Sequence, residues 1–239
     1  MSDIRHHVHP DLDSLATSAA MEVTTHLNER IAESGRAVLS LTGGSAGVKT
    51  AAALATAEIE WERVTIYFGD ERFVAAGDPE RNDGQLDEVL LDILGERPTI
   101  HRWPTLSAEN TDVFAAAKEF REAQSLPPGD APLFDVTLLG MGPEGHIDSI
   151  FPDTPAVSET EELIMGVRDC PKPPPERLTF TLPAIRRSRH VIVVATGDGK
   201  AEAVARGIEG TDPQQWPVAG ARGLESTTFH LDGPAASMM

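Results

Sequence analysis

Leu39-Ser40-Leu41-Thr42-Gly43-Gly44-Ser45-Ala46-Gly47 is the stretch that decides the fold. Together with Arg36-Ala37-Val38 before it, the apolar part reads as a strand buried on both faces. Residues 42–45 interrupt it with two glycines and two hydroxyls, and the Ala-rich run to about residue 57 reads as a helix. A buried strand that feeds a glycine-rich turn and then a helix is the opening of a βαβ unit, which joins parallel strands.

The same grammar extends outward. Upstream, Leu12, Leu15, Ala19, Val23, Leu27 and Ile31 recur at steps of three and four, and Gly35 ends the helix they predict. Residues 1–10 are polar and His-rich, lack the apolar core of a signal peptide, and are expected to fray, with no metal role for His6, His7 or His9. Downstream, residues 64–68 read as a strand that stops at Gly69-Asp70-Glu71-Arg72. Helices are expected at about 84–94 and 108–124, the second capped by Ser107. Pro127-Pro128-Gly129 is a loop, and residues 134–139 form a strand running into Gly140-Met141-Gly142. Cys170-Pro171-Lys172-Pro173-Pro174-Pro175 reads as a stiff extended connection. Residues 177–182, a strand at 190–195, Thr196-Gly197-Asp198-Gly199 and a helix over 200–208 follow.

Strands alternating with helices predict an α/β fold, a three-layer, Rossmann-like sandwich around a mostly parallel sheet. The length of 239 residues suits one domain over 1–239, with no internal repeat or long linker. Residues 42–45, 70–72, 140–146 and 196–200 each follow a predicted strand. In open α/β sheets ligands bind beyond the carboxyl ends of the strands, so these four clusters mark the expected active-site edge.

Composition excludes other classes. A net charge of −18 opposes binding to nucleic acid and to anionic lipid. The single cysteine, Cys170, excludes an internal disulfide and suits a reducing cytosol, and no apolar run reaches membrane-span length. The expected setting is therefore cytoplasmic. Sixteen Arg against four Lys is read as composition bias. An acidic protein that binds an anion must gather its few cations locally.

Each cluster has a plain reading and a functional one. Thr42-Gly43-Gly44-Ser45 is either an anion cradle at a helix start or an ordinary turn capped by Ser45. Gly43-Gly44-Ser45-Ala46-Gly47 also matches a serine-hydrolase elbow, but it follows the first strand with no oxyanion loop before it. Gly140-Met141-Gly142-Pro143-Glu144-Gly145 spells the dinucleotide fingerprint, which His146, Asp148-Ser149 and Phe151-Pro152 contradict by breaking the required helix. That loop reads instead as a presenter of Glu144 and His146, the latter suited to proton transfer at neutral pH. Asp70 and Arg72 are either a surface ion-pair cluster or a phosphate-side pair, with Arg72 suited to bidentate contact. Lys200 opens a helix, where its charge opposes the dipole and hints at a bound anion.

Taken together, LSLTGGSAG (39–47), FGDERFV (68–74) with Asn82 behind it, LLGMGPEGHIDSIFP (138–152), RLTFTLPAI (177–185) and HVIVVATGDGKAEAV (190–204) resemble the 6-phosphogluconolactonases. These lie within the wider glucosamine-6-phosphate isomerase/deaminase fold family. The matches span most of the chain in the family's order. Ala46-Gly47 stand where the family's cradle ends in Thr-Pro, and Glu144 stands where an Asp precedes the His by two residues.

The resemblance implies hydrolysis of 6-phospho-D-glucono-1,5-lactone in the oxidative pentose phosphate pathway, with His146 as acid/base and Glu144 as its companion. It places Gly43, Gly44, Ser45, Asp70, Arg72, Arg177 and Lys200 at substrate- and phosphate-side positions, and implies no metal and no organic cofactor. The implied partner is the small phosphorylated sugar lactone, with glucose-6-phosphate dehydrogenase and 6-phosphogluconate dehydrogenase as functional neighbours. Two other readings stand beside it. An amino-sugar-phosphate isomerase/deaminase would share the cradle but continue after the histidine as Phe-Asn-Glu, where this chain has Ile147-Asp148-Ser149. A non-catalytic sugar-phosphate sensor would be expected to carry a basic DNA-binding segment.

Overall fold

The opening apolar run becomes strand β2 (Ala37–Leu41), near the middle of a seven-stranded sheet. The computed structural model describes residues 3–239. The other strands of this sheet are β1 (Asp3–His9), β3 (Val64–Phe68), β5 (Thr99–His101), β6 (Phe134–Gly140), β9 (Ser188–Ala195) and β10 (Ser226–Asp232). Their order is β1-β10-β9-β6-β2-β3-β5, and every adjacent pair is parallel. A small antiparallel sheet of β4 (Asp70–Arg72), β7 (Ile164–Val167) and β8 (Arg177–Phe180) stands beside it, in the order β4-β8-β7. The helices are α1 (Leu12–Ser34), α2 (Gly44–Leu54), α3 (Asn82–Leu86), α4 (Asp92–Leu94), α5 (Val113–Ala123), α6 (Pro155–Ser158), α7 (Leu182–Ile185) and α8 (Ala201–Glu209).

The sandwich follows from alternation along strands that are apolar on both sides. In β9, Ile192 and Val194 join the core formed with α1 and α2, whereas Val191, Val193 and Ala195 join the core containing Ala203 and Val204 of α8. The expected three-layer α/β architecture is the one observed.

Topology positions the site. From β2 the chain moves outward through β3 to β5, then returns to β6 on the other side of β2 and continues to β9 and β10. The direction therefore reverses between β2 and β6, and a crevice opens there beyond the strand ends. The loops leaving β2 and β6 are the ones that carry the two glycine-rich motifs.

Several local expectations need correction. The N-terminal segment does not fray: Asp3–His9 pairs in parallel with β10 along its whole length. Most of its residues are polar, as suits an exposed edge strand, and His9 Nε2 lies 3.1 Å from His230 Nδ1. His230 in turn meets Glu22 of α1 at 2.7 Å, fastening helix to sheet. The helix expected from residue 108 begins at Val113, because Asp112 rather than Ser107 accepts from the first-turn amide of Phe114. The expected helix at 84–94 starts at Asn82 and passes through a π turn at Asp87–Leu91. Asp11 and Gly35 cap α1, Gly35 in the left-handed conformation with φ 77°.

Candidate active site

Helix α2 begins at Gly44, and its N-cap, Gly43, makes no side-chain capping bond. Ser45 therefore does not cap the turn, and it is exposed beside Gly44. The first-turn amides are left for a ligand, at the end of the helix where the dipole favours an anion. Glycine is required at two points here. Gly44 has φ 74°, and a Cβ at Gly43 would lie 2.2 Å from Oδ1 of Asn82.

Asp70 and Glu71 are buried in β4, so this is no surface ion-pair cluster. The Asp70 carboxylate accepts from Asn82 Nδ2 (2.9 Å) and Ser149 Oγ (2.6 Å), with Arg177 Nη1 at 3.8 Å. Glu71 accepts from the amides of Arg72, Asn82 and Asp83, which locks β4 onto the start of α3. Arg72 donates through one Nη to the Glu80 carbonyl, while its Nε has no protein partner. Arg177 is committed differently. Its Nε and Nη2 donate to the carbonyls of Pro174 (3.0 Å), Lys172 (3.1 Å) and Pro173 (3.1 Å). Its first effect is thus to fix a loop.

His146 is held between an aromatic face and a charged pair. Its ring stacks on Phe151 with centroids 4.4 Å apart, and its Nδ1 lies 3.2 Å from Glu144 Oε1. Lys172, from the proline-rich connection, binds the same carboxylate at 2.9 Å and approaches Nδ1 to 3.4 Å. Burial, then the Lys172 charge, push the His146 pKa below the ordinary imidazole value, against the pull of Glu144. For Glu144, burial would raise the pKa, but the Lys172 hydrogen bond and the charge of His146 outweigh it and the net shift is downward. Lys200 ends a short 3-10 turn (Asp198–Lys200) before α8 and is half-buried, its pKa lowered by burial and by Lys172. It makes no ion pair among the described residues.

One cleft joins these elements. It is lined by Gly43, Gly44, Ser45, Asp70, Arg72, His146, Arg177 and Lys200, together with Asn82 and Asp148. Glu144 is outside that lining and reaches the cleft through His146. Lys172 and Asp148 were missed by sequence reasoning. Lys172 lay hidden in a run that reads only as rigid, although a lone lysine among prolines, in a chain with four lysines, was a usable signal.

The family model described as glucosamine-6-phosphate isomerases/6-phosphogluconolactonase matches residues 10–229. The chain belongs to this family.

Among its relatives, the 6-phosphogluconolactonase of Mycobacterium tuberculosis is 42% identical over 240 residues, covering 97% of each chain. That of Streptomyces coelicolor is 42% identical over 97% of this chain and 93% of the relative. Among solved structures, the 6-phosphogluconolactonase of Trypanosoma brucei superposes with a TM-score of 0.83 at 26% identity over 99% of each chain. A monomeric glucosamine-6-phosphate deaminase superposes with a TM-score of 0.76 at 20% identity, over 98% of this chain and all of that one, and shares the fold. Among the described residues no helix is long and apolar enough to cross a membrane.

Proposed function

We propose that this protein hydrolyses 6-phospho-D-glucono-1,5-lactone to 6-phosphogluconate, working as one domain over residues 1–239. The observation that carries the reading is a half-buried His146–Glu144 pair whose imidazole lines the same cleft as an uncapped helix start and two cations, Arg72 and Lys200. The 6-phosphogluconolactonases at 42% identity support the substrate.

In this mechanism His146 takes a proton from water as the water oxygen bonds to the lactone carbonyl carbon. The carbonyl electrons move onto oxygen to form a tetrahedral oxyanion. When these return, the bond to the ring oxygen breaks, and His146 gives its proton to that oxygen. The Gly142 amide does not serve the oxyanion, because it already donates to the His146 carbonyl at 2.9 Å. Gly43, Gly44 and Ser45 receive the phosphate with Arg72 and Lys200, while Asp70 and Arg177 shape the wall between the two ends. No metal or organic cofactor takes part.

The enzyme acts in the cytoplasm in the oxidative pentose phosphate pathway. It consumes the product of glucose-6-phosphate dehydrogenase and supplies 6-phosphogluconate dehydrogenase. The test is proton release on addition of the lactone, with spontaneous hydrolysis subtracted. Wild type accelerates it, and His146→Gln loses about 10²–10⁴-fold in turnover while keeping affinity for phosphate analogues. Binding without turnover in the wild type would favour a sensor, and near wild-type turnover in His146→Gln would remove the mechanism.

A further inference from the structure

Lys172 is placed with more care than an exposed lysine ordinarily is. A lysine side chain has four rotatable bonds, and its rotamer entropy usually spreads the ammonium over many positions. Here the backbone beneath it is held on three sides. Prolines at 171, 173, 174 and 175 restrict φ along the loop. The buried Arg177 guanidinium takes the carbonyls of Lys172, Pro173 and Pro174, and the Cys170 amide donates to the Pro175 carbonyl at 3.0 Å. From this mount Nζ reaches both Glu144 oxygens, at 2.9 and 3.2 Å, and His146 Nδ1, at 3.4 Å. It also stands 5.8 Å from the Phe151 ring on which the imidazole stacks.

We propose that Lys172 is a positioning residue of the reaction, an ammonium that clamps Glu144 against His146 and takes up the charge of the carboxylate, so that the resting imidazole is a free base. This rests on the reading of His146 as the acid/base.

The argument is a competition for one carboxylate. Glu144 alone would both orient the ring and draw a proton onto it, because an adjacent negative charge stabilises imidazolium. An imidazolium cannot deprotonate water. With Lys172 bound to Glu144 the pair is neutral overall, and the orienting contact survives without the full pull. The other charges facing His146 do not cancel this role. Asp70 on β4 also favours imidazolium, Asp148 on the same loop has its carboxyl pKa raised by burial and by Asp70, and Arg177 and Lys200 are not among the groups that shift the His146 pKa. Lys172 is the cation in contact with the ring nitrogen.

The experiment follows the His146 Cε1 proton by NMR through a pH titration of the intact protein, alongside the pH profile of kcat/KM. Wild type, Lys172→Met and Lys172→Arg are compared after their folding is checked by melting curves. In Lys172→Met the His146 titration and the acid limb of kcat/KM both move to higher pH. That variant therefore loses far more activity at about pH 6 than at about pH 8.5. Lys172→Arg keeps the charge and leaves both near their wild-type positions. A His146 titration at the same pH in wild type and Lys172→Met would overturn the proposal, as would Lys172→Arg shifting as far as Lys172→Met. Absence of lactone turnover in the wild type would instead strike the functional reading, which the NMR titration does not need.

Discussion

Gly142→Ala tests the site with a single methyl group. A Cβ built at Gly142 lies 2.1 Å from both Cε1 and Nδ1 of His146 and 2.7 Å from Glu144 Oε2. Since real Cβ contacts below 3.0 Å essentially do not occur, the imidazole must retreat by about 1 Å. Gly142 does not use a positive φ, so alanine suits its backbone, and its own bonds to residues 145 and 146 need not break. The displaced groups are side-chain ends, and the stability loss should stay within about 1–3 kcal/mol. Catalysis is less forgiving, because about 1 Å of misplacement costs on the order of 10²-fold. The proposed phosphate cradle at Gly43–Ser45 lies on a different loop, so KM should change little. The assay is proton release with the phosphorylated lactone, corrected for spontaneous hydrolysis, together with a melting curve. A folded Gly142→Ala protein with kcat within about twofold of wild type would refute the argument that ring position limits the rate.

Three further outcomes are expected. Asp148 is 8% exposed, sits in the left-handed region at φ 47°, and has no hydrogen-bond partner at either oxygen, so burial and the neighbouring Asp70 raise its pKa well above the ordinary value. A raised carboxyl pKa means the folded state holds the extra proton, and stability falls as pH rises above 3.8. Asp148→Asn keeps the turn, and its melting temperature should exceed wild type at about pH 8 but not at about pH 4; equal pH slopes would contradict this. For Glu22, burial raises the pKa, but hydrogen bonds led by that from His230 outweigh it and hold it far below 4.5, giving stability that is present above 4.5 and lost as pH falls. Glu22→Gln should cost about 1.5–3 kcal/mol near neutrality, with the gap to wild type closing on acidification in denaturant titrations. Arg72→Gln and Lys200→Gln should each weaken use of the phosphorylated lactone by roughly 10- to 150-fold and leave unphosphorylated gluconolactone nearly unaffected; equal losses on both would remove the phosphate assignment.

The layers of this fold were legible because periodicity is a local property. Leu15, Ala19, Val23 and Leu27 face the sheet at helical spacing, and the unbroken apolar run of β9 announces burial on both faces. That the motifs would meet in one cleft was legible for the same reason, since each follows a strand and a parallel sheet gathers all such ends on one edge. What stayed hidden was short, polar or dependent on distant partners. Strand β1 has exposed, mostly polar residues and exists because β10, more than two hundred residues later, offers it a ladder. Strands β4, β7 and β8 run for only three or four residues each.

The sequence by itself determined the layered parallel sheet, the glycine loops and the residue types that meet in the cleft. Only the tertiary structure decided how their charges are shared. It placed Lys172 between Glu144 and His146, turned most of the Arg177 donors toward loop carbonyls rather than the open cleft, and left Asp148 beside Asp70 without a donor. The physical reason is range. Backbone preference and apolar patterning act between neighbours in the chain, whereas pKa shifts and ion pairing depend on burial and on groups brought within a few ångströms by folding.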